Sequence, residues 1–281
     1  MITAGIVLYN PDIPRLQQNI DAILPQVEKL ILVDNGSKNI DKVQILLGQF
    51  YETKKIQLLL LGDNLGIAKA QNEICRWAQN NGDEWAITLD QDSVCPTNLV
   101  KEYEKLIHDS EIGMICPKVI DRNFGEITYG IEHKGIEEVP QCIASASAIR
   151  ISAWEEVGGF YEPLFIDDVD FDICWSLREH GYKILRNNNV ELLHEVGHGH
   201  IEHFAGKDRL ILNHTPLRYY YKMRNSFIVG RRHHRLYKNL RASLRLVYQI
   251  NRYEKNRFAK NKMLFIGFWH GIICKTGKYG K

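Results

Sequence analysis

Four short apolar runs, Thr3–Leu8, Leu30–Val33, Ile56–Leu61 and Trp85–Leu89, punctuate the first hundred residues, and the segments between them, 13–25, 41–50 and 67–80, carry apolar residues at helical spacing. This alternation leaves few folds open. Parallel strands need long crossovers, and helical crossovers cover both faces of the sheet, so the strands are apolar throughout. The expectation is an α/β domain with a Rossmann-like, mainly parallel sheet flanked by helices. Such sheets hold their ligands beyond the carboxyl ends of the strands.

Those strand ends are polar. Tyr9-Asn10-Pro11 follows the first run, Asp34-Asn35-Gly36-Ser37 the second, Asp63-Asn64-Leu65-Gly66 the third and Asp90-Gln91-Asp92 the fourth. Each alone is an ordinary turn, since Asn, Asp and Gly suit turns. Together on one sheet edge they read as a nucleotide pocket, with Asp34 a candidate for the base or ribose. Asp90 and Asp92 put two hard oxygen ligands where a Mg²⁺ or Mn²⁺ could clamp a diphosphate, the alternative being a solvated acidic turn. Neither GxGxxG nor GxxxxGK[ST] occurs, which removes a dinucleotide dehydrogenase and a P-loop enzyme. Any phosphates must be held another way, and a metal on Asp90 and Asp92 fits.

After Asp92 the rhythm changes. Residues 112–150 read as strands and loops, Ile151–Val157 as a short helix, and Phe171 to His180 as a helix stopped by Gly181. Before that helix lie four acids within six residues, Asp167, Asp168, Asp170 and Asp172. They need a cation, a helix N-terminus or water. Helix capping by Asp170 and a general base near a metal both remain open. His194, His198, His200 and His203 allow a zinc site or, more economically, a single imidazole that joins two carboxylates on Mg²⁺ or Mn²⁺. The segment from Arg218 to Asn225 mixes cations with aromatics, which suits nucleic acid or, through Arg224, a leaving diphosphate.

The 281 residues suffice for one large domain or a domain with an appendage, and 44% hydrophobic with 25% charged content excludes general disorder. Six cysteines without CxxC spacing suggest reduced thiols and a cytoplasmic setting. No signal-peptide pattern is expected from the N-terminal run, and no stretch reaches the roughly 18 apolar residues of a spanning helix. The net charge of +2 hides a split: residues 217–281 hold 17 Lys/Arg against Glu254 alone (+16), leaving 19 − 33 = −14 elsewhere. Leu236, Leu240, Leu244, Val247, Tyr248 and Tyr253 lie near one helical face, away from Arg241, Arg245 and Arg252, and Met263–Cys274 is apolar and aromatic. An acidic body with a basic tail points to an anionic partner, and the acidic body argues against nucleic acid.

In combination, residues 2–230 resemble the family 2 glycosyltransferases of the GT-A fold, and most closely their rhamnosyltransferase-like branch. Asp90-Gln91-Asp92 is similar to the family's DxD metal motif, and Asp63 to Asn72 to its N-x-G-x-A-x-A-x-N segment along the nucleotide pocket. Ala144-Ser145-Ala146-Ser147, Trp154 and Gly158-Gly159-Phe160 resemble its acceptor-side strand and GGF turn. Counted back from Arg178, Gly181 and Tyr182, Asp170 falls on the catalytic base. Val169 stands where many members have an acid, so Asp167 and Asp168 are reserves. His194, 24 residues after Asp170, matches the histidine that completes the metal site. Arg218 to Asn225 is similar to the Y-x-x-RN segment.

The resemblance implies a GT-A catalytic domain over 1–216, with a nucleotide half at 1–93 and an acceptor half at 94–216, and a basic helical extension over 217–281. It implies inverting, metal-dependent transfer of a sugar, L-rhamnose from dTDP-L-rhamnose being favoured over UDP-sugars, to a glycan hydroxyl in bacterial cell-surface polysaccharide (O-antigen) synthesis. The donor would meet Tyr9, Asn10, Asp34, Asn64, Gly66, Ala68, Asn72, Asp90 and Arg224. Asp90, Asp92 and His194 would hold the Mg²⁺ or Mn²⁺. The acceptor would be polyprenyl-diphosphate-linked, with the enzyme peripheral on the anionic inner face of the membrane. A sugar nucleotidyltransferase would want a Gly-rich loop with Arg and Lys after the first strand, which is absent.

Overall fold

The computed structural model describes residues 1–121, 125–126, 134–194, 200–204, 207–211 and 213–280, with the backbone alone at 51, 121, 125–126, 194, 200–204 and 207–210. The chain divides into two compact units, 1–162 with 170–195, and 163–169 with 196–281. The domain boundary expected at 216/217 therefore falls inside the second unit.

The first unit begins β1 (Ile2–Leu8), α1 (Ile13–Ile23), β2 (Leu30–Asp34), α2 (Ile40–Gly48), β3 (Ile56–Leu60), α3 (Ile67–Asn80) and β4 (Trp85–Asp90). It continues α4 (Leu99–Glu104), β5 (Ile112–Asp121), β6 (Gly125–Glu126), β7 (Ile136–Glu138), β8 (Ser147–Arg150), α5 (Ile151–Glu156), α6 (Val169–Glu179) and β9 (Lys183–His194). The nine-stranded sheet runs β3-β2-β1-β4-β8-β5-β9-β7, with β6 paired to β5. β1 to β4 are mutually parallel and β8 runs against β4. β9 is parallel to β5, its last residue His194 opposite Asp121.

The interior strands are apolar because both their faces are covered. β2 is buried at every residue, and the edge strand β3 is half exposed. α1 starts where Asp12 accepts a hydrogen bond from Arg15 N–H at 3.1 Å, and its Leu16, Ile20 and Ile23 are fully buried. α3 lies tightly on β1, since a Cβ added at Gly5 would come within 2.5 Å of the Ile74 side chain. α6 begins at Val169, two residues earlier than expected, so Asp170 and Asp172 sit in its first turn, where negative charge complements the helix dipole. Gly181, at φ +89°, ends that segment as expected.

The second unit holds the hairpin β10 (His200–Phe204) and β11 (Lys207–Ile211), then α7 (Pro216–Arg232), α8 (Leu236–Tyr253) and α9 (Arg257–Ile272). Its core gathers Tyr219, Met223, Phe227, Ile250 and Leu264. α9 meets α7 backbone to backbone at two glycines: a Cβ at Gly267 would collide with the Tyr220 carbonyl, and one at Gly271 would lie 2.9 Å from that of Arg224. α8 packs through Leu246, Val247 and Ile250, leaving Leu240, Leu244 and Tyr248 exposed. Glu254, the lone acid of the tail, is buried in an ion pair with Lys260 at 2.8 Å.

Candidate active site

Parallel register brings the polar strand ends of the first unit together. Leu8 of β1 lies opposite Asp34 of β2, and Val7 opposite Asp90 of β4. Three loops then knit to one another. The Asp34 carboxylate accepts from Gly36 N–H at 3.1 Å and Ser37 N–H at 3.0 Å. Asn10 N–H donates to Ser37 Oγ, and Lys38 N–H donates back to Asn10 Oδ1, both at 2.8 Å. Asn35 donates to Asn64 Oδ1 at 3.3 Å and accepts from Leu65 N–H at 2.8 Å. Gly36, at φ +83°, sits where a Cβ would be 2.6 Å from the Asp63 backbone.

The end of β4 is held from both sides. Asp90 N–H donates to Ser145 Oγ at 3.2 Å, and Ser145 donates to Ser93 Oγ at 2.8 Å. The Asp90 carbonyl accepts from Asn19 Nδ2 at 2.7 Å. Gln91 reaches the Tyr9 main chain, accepting from its N–H at 2.8 Å and donating to its carbonyl at 3.3 Å. Asp90 and Asp92 are half-buried, and Tyr9 is 47% exposed. Asn19 is not a candidate on sequence, and Ser145 and Gln91 enter there only as members of the acceptor-side strand and of the Asp90-Gln91-Asp92 motif. Asn19 left a signal, since it shares the apolar face of α1 with Leu16, Ile20 and Ile23.

Several expected donor contacts have other work. Ala68 is fully buried, so it supplies packing and no ligand surface. Asn72 is 3% exposed and fully committed. Its Oδ1 accepts from Phe160 N–H at 2.9 Å and Trp154 Nε1 at 3.0 Å, and its Nδ2 donates to the Phe160 carbonyl at 2.8 Å and Glu162 at 3.0 Å. It fastens α3 to the Gly158-Gly159-Phe160 turn. Burial opposes ionisation of Glu162, but hydrogen bonds from Asn72 and Arg76 and the charges of Lys69 and Arg76 prevail and hold its pKa below the ordinary value.

Arg224 is likewise corrected. It is fully buried, and its guanidinium donates to Asn225 Oδ1 at 2.9 Å and to the carbonyls of Gly277 at 2.5 Å and Leu164 at 2.6 Å. A side chain so engaged is a brace within the second unit and not a surface clamp for a diphosphate. Burial lowers its pKa, against the pull of Tyr220 and Tyr221.

The acidic segment contains three non-glycine residues in the left-handed region, Phe165, Asp167 and Asp168, at φ +68°, +65° and +61°. Asp167 Oδ1 accepts from Arg218 Nε at 3.1 Å, while its Oδ2 is buried without a hydrogen-bond partner. Asp172 is fully buried in α6 and Asp170 half-buried. The His194 side chain and all of His198 lie outside the described residues. Among the described residues no trio of His, Cys, Asp and Glu is spaced to hold a metal. Asp90 and Asp92 nevertheless suit Mg²⁺ or Mn²⁺, which take one or two carboxylates and complete their shell with substrate phosphates and water.

The sequence pattern described as glycosyl transferase family 2 matches residues 3–175. The chain is 28% identical over 247 residues to the dTDP-rhamnosyl transferase RfbF of Shigella flexneri, covering 83% of this chain and 81% of that one. Among solved structures, GalNAc-T7 with UDP, GalNAc and Mn²⁺ superposes with a TM-score of 0.63 at 15% identity, over 97% of this chain and 56% of that one. The mannosyltransferase PcManGT of Pyrobaculum calidifontis, with GDP-Man and Mn²⁺, gives 0.62 at 13% identity, over 98% and 87%. S. aureus TarS 1-349 with UDP-GlcNAc gives 0.56 at 14% identity, over 97% and 72%. At these identities the superpositions speak for the fold, which is GT-A.

Proposed function

The chain belongs to glycosyl transferase family 2 and is a glycosyltransferase, and from that premise we propose that it transfers L-rhamnose from dTDP-L-rhamnose, with inversion, to a hydroxyl of a glycan in bacterial cell-surface polysaccharide synthesis. The observation that carries the reading is the grip on Asp90. Its amide and carbonyl are both held by buried side chains, Ser145 and Asn19, at the strand ends where α/β sheets bind nucleotides. Such support fixes the main chain that carries the Asp90 carboxylate, the kind of backing a binding group needs.

In this reading the nucleoside lies across the ends of β1 and β2, meeting Tyr9, Asn10 and Asn64, while Asp34 shapes the turn it enters. Asp90 and Asp92, with His194 as a third candidate, would hold a Mg²⁺ or Mn²⁺, which when bound neutralises the diphosphate and eases its departure. Asp170 takes the proton of the acceptor hydroxyl, with Asp167 and Asp168 as its reserves. The hydroxyl attacks the anomeric carbon opposite the departing diphosphate, so the configuration inverts. The relative from Shigella flexneri supports the donor. UDP-sugars are the second reading, because solved structures of this fold carry UDP or UDP-GlcNAc.

The tail has a place in the same scheme. No helix among the described residues is long and apolar enough to cross a membrane. Tyr237, Leu244 and Tyr248 of α8 and Phe258, Phe265 and Trp269 of α9 are exposed among many cations. Such faces suit an anionic membrane surface carrying a polyprenyl-diphosphate-linked acceptor. The decisive experiment is turnover with dTDP-, UDP- and GDP-sugars in the presence and absence of Mn²⁺. Turnover with dTDP-L-rhamnose and metal is expected. A clear preference for another donor would overturn the donor, and turnover undiminished by chelation would overturn the metal.

A further inference from the structure

Phe165, Asp167 and Asp168 adopt left-handed backbone, a conformation that non-glycine residues keep only where the surroundings impose it. The constraint comes from one side. Asn225, fully buried on α7, aims its Nδ2 at the carbonyls of Leu164 at 3.1 Å, Ile166 at 2.7 Å and Asp167 at 2.8 Å. Arg224 orients that amide through Asn225 Oδ1 and adds its own bond to the Leu164 carbonyl. The C-terminal segment closes the ring. Gly277 N–H donates to the Pro163 carbonyl at 2.8 Å, and the Gly277 carbonyl accepts from Arg224. Tyr279 N–H donates to Tyr221 Oη at 2.8 Å, and the Tyr221 ring stacks on Phe165 with centroids 5.3 Å apart.

We propose that Arg224, Asn225 and residues 275–280 form a clamp that positions the acidic segment for catalysis, which rests on the reading that the base lies among Asp167, Asp168 and Asp170. The main-chain carbonyls of 164, 166 and 167 each meet a donor of this clamp, so its loss frees the peptide units that carry Asp167 and lead into α6. The arrangement also gives the tail a catalytic purpose. Gly267 and Gly271 seat α9 directly on the α7 backbone at Tyr220 and Arg224, and the closing segment follows from the end of α9. Arg224 and Asn225 are thus positioning residues acting through a loop.

The test uses the full chain carrying Asn225→Asp, which keeps the size and the Arg224 contact but loses the donor, and a second protein lacking residues 275–281. Folded fraction is set by thermal unfolding, and dTDP affinity, kcat, acceptor KM and the pH profile are then measured. The expected result is a fall in kcat of about ten-fold or more per folded molecule, with dTDP affinity within about two-fold and an altered acid limb of the pH profile. Wild-type kcat and pH profile in the folded fraction of either protein would overturn the clamp. Asp167→Asn, Asp168→Asn and Asp170→Asn are run alongside. Full turnover in all three removes the underlying reading, whereas loss in one of them with an unaffected clamp variant sinks the clamp alone.

Discussion

Gln91 and Tyr9 are joined by a two-point contact in which the Gln91 amide both accepts from and donates to the Tyr9 main chain. The residue between the two aspartates therefore ties the end of β4 to the loop after β1. Gln91→Ala should raise the Kd for dTDP with Mn²⁺ about ten-fold, the equivalent of one or two hydrogen bonds near 1 kcal/mol each, and change kcat less. Calorimetric titration decides it, and an unchanged Kd would show that the tie is idle.

Asp90→Ala and Asp92→Ala should each cost at least about 100-fold in turnover, reflecting the several kcal/mol a Lewis acid supplies. Metal-dependent dTDP binding should disappear with it. Asp170→Asn should lose about 100- to 10,000-fold in kcat while dTDP binding survives. Retained turnover in Asp170→Asn would move the base to Asp167 or Asp168.

Glu254 and Lys260 are 0% and 4% exposed, and Tyr219 donates to the same carboxylate. Removing one charge strands the other, so Glu254→Gln should destabilise by about 3–5 kcal/mol in urea unfolding. The apolar pair Glu254→Leu with Lys260→Met should cost less than Glu254→Gln alone. The opposite order would mean the charge pair itself stabilises the unit.

His214 is held neutral, its pKa lowered to about 3 by burial and by the charges of Lys222, Arg218 and Lys260. The unfolded chain binds a proton there near the ordinary value of about 6.5 and the folded one does not. Stability is therefore complete above that pH and declines as pH falls toward 3. Denaturation midpoints between pH 7 and 4 should fall less steeply in His214→Gln, and parallel curves would assign the acid sensitivity to other groups.

Replacing Phe265 and Trp269 by Ser should reduce co-sedimentation with anionic vesicles while leaving dTDP affinity unchanged, since both side chains face solvent on α9. Undiminished binding to vesicles would remove the membrane role from these aromatics.

Much of the fold was legible in the sequence. The first four strands and the helices between them fall within about two residues of the expected bounds, because apolar runs and helical spacing are local signals. Asn72 and Arg224 were misread for a reason local signals cannot supply. Asn72 finds Phe160 88 residues away and Arg224 finds Gly277 53 residues away, and only those partners allow such polar groups to be buried. The left-handed backbone at 165, 167 and 168 was equally hidden, since the donors packed on that segment come from α7 and residues 277–279.

Asn72 has one more consequence. By spending all its polar valences on Trp154, Phe160 and Glu162, it welds α3 to the Gly158-Gly159-Phe160 turn. The Gly158-Gly159-Phe160 turn is therefore held to α3 as one piece within the first unit.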